Sequence, residues 1–267
     1  MRDYRVLELL LERVQRTEKR LAAVRRAEAD WIGLTATGTT MLDVMATWIR
    51  DQVAAMGRDG ALVGVSGGVD STVAAIATQR AVGDKGLALI LPDTASDPKD
   101  QADAIKLCEL LKLPYQVIPV GPGLDALLGT MGDARSEARK RPVGNLASRV
   151  RMSVQFYVAS VRNYLVVGPG DMDEVYIGYS SKGLAADVYP ITGLHKDEVR
   201  GLAWEALSPL DETFAKYMSE RPATPGFWPG QRAEQQLGMP YSRIGPAVEI
   251  MANHCTLQNQ IIFPEDV

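Results

Sequence analysis

Short apolar runs alternate with longer segments of helical periodicity over residues 61–120, and this alternation is the strongest constraint on the fold. The predicted strands are ALVGV (61–65), LALILP (87–92) and YQVIPV (115–120). Predicted helices cover 71–82 and 98–113 between them, the second capped by Asp97 and opened by Pro98. Parallel strands need crossovers of this kind, so the pattern predicts a doubly wound α/β fold, a parallel sheet with helices on both faces.

The same alternation resumes beyond a glycine-rich and charged segment (121–144) that predicts a short helix plus a loop. A helix is predicted over 148–163, with Asn145 and Ser148 as candidate N-caps. Further strands are predicted at 164–168 and 187–191, and a further helix at 195–207. Residues 4–29 also show helical spacing, so we expect an N-terminal helical extension over 1–38 and a main domain over 39–267.

Charge and composition indicate that any anion must be bound locally. The net charge of -4 and a sequence pI near 5.4 give no basic field for nucleic acid or an anionic membrane, so we expect neither partner. Two cysteines without CxxC spacing and two separated histidines predict no zinc site or disulfide framework. No apolar run approaches the roughly 20 residues of a membrane span. We therefore expect a cytoplasmic protein.

The turn SGGVDS (66–71) lies between the first predicted strand and a helix, where parallel sheets bind ligands. Gly67 and Gly68 allow amide N–H groups to approach a ligand closely, and Ser66 and Ser71 add hydroxyl donors. Asp70 would repel an anion unless a cation such as Mg²⁺ lies between them. The alternative is a glycine-rich turn with no ligand, which two glycines alone do not exclude.

SGGVDS resembles the SGGxDS pyrophosphate-binding loop of the N-type ATP pyrophosphatases. Later segments resemble NAD synthetases in order and spacing, and the resemblance spans roughly residues 40–245. These segments are GNLASRVRM (144–152), VVGPGDMDEVYIGYSSKG (166–183), DVYPITGLHKDEV (187–199) and GFWPGQRAEQQLGMPY (226–241). The resemblance implies a Rossmann-like fold of the ATP pyrophosphatase type. It also implies an ATP-dependent ligase that adenylates a carboxylate, releases pyrophosphate and forms an amide with ammonia.

The resemblance further implies which residues form the site, with ATP and Mg²⁺ as cofactors. Asp70 and Glu174 are the expected metal ligands, and Asp70, Lys182 and Lys196 the expected catalytic residues. Arg149 and Arg151 are the expected further ATP or substrate contacts. About 200 degrees separate positions i and i+2 of a helix, so these two arginines cannot both face one ligand from a regular helix. The full set expected to bind ATP is Ser66, Gly67, Gly68, Asp70, Ser71, Arg149 and Arg151.

Several departures from the family pattern leave the acceptor open. Pro169 replaces a threonine, the loop SSKGLAAD lacks a GD pair, RAEQQ (232–236) replaces an acidic run, and His254-Cys255-Thr256 lacks two cations. The expected acceptor is deamido-NAD, with another carboxylic acid or amine as the alternative and a non-catalytic nucleotide-binding protein as a third interpretation. Neither cysteine lies in a nucleophile setting, so we expect ammonia to be free or to come from a separate subunit. The family likeness and the N-terminal helices also predict a homodimer.

Overall fold

The structure is a computed structural model that describes residues 40–254. The helix predicted over 4–29 and the segment after His254 lie outside the described residues. The chain divides into two compact units, residues 1–44 and 45–267, and the sheet belongs to the second. The boundary predicted between residues 38 and 39 stays a prediction. No helix within the described range is both long and apolar enough to cross a membrane.

The described residues contain a parallel sheet, as the sequence predicts, with four strands in place of the five predicted. Its strands are β1 (Gly60–Gly64), β2 (Gly86–Ile90), β3 (Tyr115–Val117) and β4 (Tyr164–Val167). They lie in the order β3-β2-β1-β4, with Leu62 of β1 paired to Leu87 on one side and to Val166 on the other. The chain therefore reverses its direction of winding between β1 and β4, and the loops after these two strands meet where such folds bind ligands.

Helices connect and surround these strands. In chain order they are α1 (Met41–Ala55), α2 (Val69–Val82), α3 (Pro98–Leu111), α4 (Gly121–Thr130), α5 (Lys140–Arg162), α6 (Met172–Ile177), α7 (Lys196–Leu207), α8 (Glu212–Glu220), α9 (Ala233–Leu237) and α10 (Tyr241–His254). The helices α8 and α9 lie in a Pro- and Gly-rich region for which the sequence predicted no elements. Asp97 caps α3 through its side chain, with Pro98 at the first position, as predicted.

The two faces of the sheet are covered by different helices. Leu62, Leu89 and Val166 project to one face and pack with Val154 and Val158 of α5. On the opposite side, α2 packs against β1, β2 and α7. Its residues are buried on nearly every side, which explains why it lacks a polar stripe.

The helix α5 begins eight residues earlier than predicted. Pro142 is tolerated because it lies in the first turn, where backbone N–H groups have no partner within the helix. Gly144 lies inside the helix because the Phe227 ring packs against its backbone, and an added Cβ would lie 2.3 Å from that ring. The N-cap predictions are therefore wrong: Ser148 donates to the Gly144 carbonyl, and Asn145 accepts from Ser181.

The strand predicted at 187–191 is also wrong, because only Val188 forms an isolated parallel bridge, to Val167. Pro190 has no N–H to continue a ladder, and the Asp187 carboxylate accepts the N–H of Val166 in place of a backbone carbonyl. The third strand is shorter than predicted, although Ile118 still donates to the carbonyl of Ile90, the last residue of β2, and Val120 donates to that of Pro92.

The Gly144–Phe227 contact predicts that two glycine-to-alanine substitutions have opposite effects on stability. Gly to Ala in a helix interior normally stabilises a protein by about 0.5–1 kcal/mol, and we expect this for Gly201→Ala in α7, where an added Cβ meets nothing within 4 Å. Gly144→Ala is expected to destabilise by about 1–3 kcal/mol, because the methyl group overpacks against the ring. Urea denaturation measures both free energies of unfolding. Equal stabilisation by the two substitutions would contradict this packing.

Candidate active site

The glycine turn forms a tight loop between β1 and α2. Gly67 has a φ of +83°, which favours glycine, and an added Cβ there would lie 2.4 Å from the carbonyl oxygen of Asp100. The backbone N–H of Gly68 donates to Ser66 Oγ at 3.3 Å, and the Ser66 and Ser71 hydroxyls are 3.1 Å apart. Hydroxyl and amide donors therefore gather on the inner side of the loop.

A cavity of about 170 Å³ opens beside this loop. Its lining joins the loop to the chain that follows β4 and to the segment after α8. The lining residues are Ser66, Gly68, Val69, Asp70, Ser71, Pro169, Glu174, Arg221, Pro222, Ala223 and Thr224. A larger cavity of about 420 Å³ shares Arg221, Pro222 and Thr224 with it and extends toward Trp228 and Arg232. Donors and acids thus meet at the edge of the sheet where β1 and β4 end.

The Lys196 ammonium lies among three carboxylates from both loops. Its Nζ is 2.8 Å from both carboxylate oxygens of Asp70 and 3.1 Å from Glu174 Oε1. It is also 2.8 Å from Asp171 Oδ2, although that oxygen accepts no hydrogen bond of good geometry. An ammonium has only three protons for these four oxygens. The cluster therefore links the ends of β1 and β4 through the first residue of α7.

Asp173 holds the N-terminus of α7, the helix that begins at Lys196. The Asp173 carboxylate accepts the backbone N–H of Lys196 at 3.0 Å through one oxygen, and its other oxygen lies 2.8 Å from His195 Nδ1. Glu198 in turn accepts the backbone N–H of His195, which is half of a capping box. Asp171 caps α6 by accepting a hydrogen bond from the backbone N–H of Glu174. The first turn of α6 therefore positions both Asp171 and Glu174.

The charges in this cluster are strongly coupled. Burial alone would lower the pKa of Lys196, but the negative charges of Asp70, Glu174 and Asp171 reverse that effect and raise it far above its ordinary value. Burial next to Asp70 and Asp171 raises the pKa of Glu174 to about 8, against the opposing effect of Lys196. With all three acids ionised, one ammonium leaves two negative charges uncompensated, so a further cation would stabilise the ionised cluster.

The donor set fits a divalent cation. Asp70, Asp171 and Glu174 each offer an oxygen, and these atoms lie within 4.8 Å of one another. Oxygen ligands are those that Mg²⁺ prefers. Asp70 and Glu174 also line the cavity, whereas Asp171 and Lys196 are almost fully buried behind them. The two acids that the sequence predicts as metal ligands are therefore those that a cation in the cavity would meet.

The other basic side chains predicted for the site, those of Arg149, Arg151 and Lys182, lie outside the acidic cluster. Arg149 donates to the backbone carbonyl of Lys182, whose side chain is exposed on the loop after α6. Arg151 donates to the Leu91 carbonyl and to Ser96 Oγ. Because α5 starts earlier than predicted, Arg149 lies in its third turn and Arg151 in its fourth, and they contact different partners. Neither arginine nor Lys182 is among the described residues that line the two cavities.

Asp93, just after β2, and the GFWPGQ segment (226–231) both make contacts that hold loops in place. The Asp93 carboxylate accepts two hydrogen bonds from Arg135, at 2.6 and 2.9 Å, which anchor the loop before α5. Burial opposes its ionisation, but the bonds from Arg135 and Thr94 lower the pKa of Asp93 overall. In the GFWPGQ segment, Phe227 packs on Gly144, and the Gln231 side chain accepts the Phe227 N–H. These contacts support roles in positioning loops.

Three residues around Lys196 were missed by sequence reasoning. Asp171 and Asp173 belong to a polar stretch of sequence in which only Glu174 matched a family position. The order polar, apolar, polar at Asp171-Met172-Asp173 was only a weak signal of a capped helix start. Tyr241 is 1% exposed, and its ring centroid lies 5.0 Å from Lys196 Nζ, so it closes the cluster on its buried side. Its hydroxyl has no hydrogen-bond partner among the described residues.

Comparison with known proteins places this geometry in a family. The family model described as NAD synthase matches residues 41–265. The NH(3)-dependent NAD(+) synthetase of Hyperthermus butylicus is 37% identical over 201 residues, which cover 74% of this chain and 70% of that relative. The enzyme of the same description from Methanocaldococcus jannaschii is 33% identical over 213 residues, covering 79% of this chain and 80% of the relative.

Solved structures agree with the sequence relatives. The structure of NMN synthetase from Francisella tularensis matches with a TM-score of 0.69 at 29% identity, covering 78% of this chain and 84% of that chain. The NH3-dependent NAD synthetase from Campylobacter jejuni, in complex with the nitrate ion, matches with a TM-score of 0.59 at 31% identity, covering 66% and 76%. With its glycine loop, its acidic cluster and these matches, the chain belongs to the NAD synthase family.

Proposed function

We propose that the chain is an ammonia-dependent NAD synthetase, a carbon–nitrogen ligase that uses ATP to amidate deamido-NAD. The observation that carries the proposal is the meeting of the glycine loop after β1 with the Lys196 cluster after β4. Phosphate needs amide and hydroxyl donors, and a cation-assisted reaction needs acids beside them. Both are present on the same cavity wall in a chain of this family.

The reaction has two steps. A carboxylate oxygen of the acceptor attacks the α-phosphorus of ATP, and pyrophosphate leaves with the electron pair of the broken P–O bond. Ammonia then attacks the acyl carbon of the mixed anhydride, loses a proton and displaces AMP to form the amide. Positioning and charge neutralisation account for catalysis of such steps, and no protein nucleophile is required.

Several side chains have distinct roles in this proposal. The Gly68 N–H and the hydroxyls of Ser66 and Ser71 bind the departing pyrophosphate. Magnesium, when bound by Asp70 and Glu174, supplies positive charge to the phosphate oxygens. The family resemblance implies that Lys196 is a catalytic residue that neutralises phosphate or a developing oxyanion. Because its side chain is only 1% exposed, we assign it instead to holding those two acids in place.

The roles predicted for Lys182, Arg149 and Arg151 stay predictions. Lys182 is exposed on the loop after α6. Arg149 contacts the backbone of the same loop, which supports a role in orienting it. Arg151 is bound to the end of β2, on the opposite side of β1 from the acidic cluster.

A second acceptor is suggested by the structural match to an NMN synthetase. Amidation of nicotinate mononucleotide would give NMN by the same two steps. Pro169 lines the cavity where the family pattern has a threonine, so this wall offers no hydroxyl to an acceptor or phosphate. Because of this departure, both deamido-NAD and nicotinate mononucleotide should be tested as acceptors. The source of ammonia and the predicted cytoplasmic location stay predictions from the sequence.

The proposal predicts coupled products. The protein is incubated with ATP, Mg²⁺, ammonium and either deamido-NAD or nicotinate mononucleotide, and AMP, pyrophosphate and the amide are measured. We expect equal amounts of AMP, pyrophosphate and NAD from deamido-NAD. Production of NMN with a higher kcat/KM would favour the second acceptor, and the absence of AMP and pyrophosphate with either acid would refute the ligase proposal.

Two variants control this assay. Asp70→Asn is expected to lower kcat by about a hundredfold or more, because it weakens binding of the cation that would neutralise the phosphate charge. Asp197→Asn is the matched control, since Asp197 is next to Lys196 in sequence but its side chain is 63% exposed and pairs with Arg200. It should retain nearly full activity.

We also propose that the chain forms a homodimer through α5. Tyr157 and Val161 are four residues apart on one face of this helix, and they are 71% and 70% exposed. Exposed aromatic and apolar side chains at this spacing support an interface with a second copy.

Sedimentation velocity at micromolar concentration tests this assembly. We expect a dimer for the wild type and a shift toward monomer for Tyr157→Glu, because the charge would be buried in the interface. Leu210→Glu, at a 52% exposed position between α7 and α8, serves as the control and should remain dimeric. A monomeric wild type would disprove the dimer.

A further inference from the structure

Arg221, directly after α8, joins three elements around the glycine loop. One guanidinium nitrogen donates to the carbonyl oxygen of Gly67 and, at 3.2 Å, to Asp103 Oδ2. The other terminal nitrogen donates to Asp100 Oδ1 at 2.5 Å. The Arg221 side chain is only 11% exposed, so these hydrogen bonds are largely shielded from water. Arg221 therefore ties the loop to the first turns of α3.

The contact with the Gly67 carbonyl determines how the next amide points. In a trans peptide the C=O of one residue and the N–H of the next point in opposite directions. With the Gly67 oxygen directed at Arg221, the N–H of Gly68 is directed at Ser66 Oγ and thus to the inner side of the loop. A flipped peptide would place a carbonyl oxygen where phosphate needs a donor. The glycine at this peptide permits rotation that other residues resist.

The guanidinium is itself held firmly. Asp103 also accepts a hydrogen bond from the Tyr217 hydroxyl at 2.8 Å, and the Tyr217 ring lies 5.5 Å from the Arg221 guanidinium carbon. Pro222 follows directly, which favours the extended backbone that Arg221 adopts at the end of α8. Two carboxylates, one ring and a fixed backbone thus pre-organise the group that contacts the loop.

We propose that Arg221 is a positioning residue for the phosphate loop: it holds the Gly67–Gly68 peptide in the orientation that presents the Gly68 N–H to the leaving pyrophosphate. This inference rests on the proposed function. Arg221 acts through the peptide, because its guanidinium is already bonded to Gly67, Asp100 and Asp103. Since the same residue begins the segment that lines both cavities, it also ties that segment to the loop.

Steady-state kinetics of three variants test the assignment. Arg221→Met removes every polar contact, and Arg221→Lys keeps one possible donor to the Gly67 carbonyl. Arg58→Met is the control, because it removes an exposed cation in the turn before β1, outside both cavities. The KM values for ATP, acceptor and ammonium are measured, together with the Kd for pyrophosphate in the presence of Mg²⁺.

For Arg221→Met we expect the KM for ATP and the Kd for pyrophosphate to rise about 10- to 100-fold, the range implied by a lost hydrogen bond to a charged group. The KM values for acceptor and ammonium should change by less than about twofold. Arg221→Lys should give an intermediate rise, and Arg58→Met should match the wild type. Reduced stability alone would lower the active fraction and hence kcat, leaving the KM for ATP unchanged.

An unchanged KM for ATP in Arg221→Met, or an equal rise in Arg58→Met, would overturn the positioning role. If Arg221→Met does not fold, Arg221→Lys decides: a raised KM for ATP supports the role and an unchanged value refutes it. A wild-type protein without ATP-dependent amidation would refute the proposed function instead. In that case the Kd for pyrophosphate still tests Arg221, because binding needs no turnover.

Discussion

The ammonium of Lys196, buried among three carboxylates, is the interaction on which the geometry of the site depends. Taking an ion out of water costs several kcal/mol unless opposite charges compensate it closely. Here the compensating acids come from the end of β1 and from the chain after β4, so the cost of burial is offset only when both loops are in place. The helix α7, which contributes the ammonium, is in turn fixed by Asp173. The cluster thus couples the fold to the position of the candidate metal ligands.

The glycine loop depends on a second set of contacts. Its backbone packs against α3 at Asp100, and Arg221 donates a hydrogen bond to the Gly67 carbonyl. The donors on its inner side are therefore arranged before any phosphate binds, which lowers the reorganisation that binding requires. The steric contact with α3 and the charged contact with Arg221 both support the loop at the edge of the sheet where the direction of winding reverses.

Local patterns in the sequence predicted most of the fold, and contacts distant in sequence account for the differences. Buried parallel strands and capped helices have short-range signals, and the cap at Asp97 is a case in which the prediction is confirmed. The start of α5 was missed because it depends on Phe227, far along the chain, which makes a glycine preferable inside the helix. Asp70 and Glu174 were found through motif resemblance. Arg221 was missed because its contact with Gly67 spans 154 positions and no local pattern marks it.

If Asp70, through a divalent cation, and the loop amides act on the same phosphate group, Mg²⁺ and pyrophosphate must bind cooperatively. Calorimetric titration of pyrophosphate into the protein, with and without Mg²⁺, measures this coupling for the wild type and for Asp70→Asn. We expect Mg²⁺ to raise the affinity of the wild type for pyrophosphate by about tenfold or more, and this gain to be largely lost in Asp70→Asn. Equal pyrophosphate affinity with and without Mg²⁺ in the wild type, or the same gain in both proteins, would contradict the shared site.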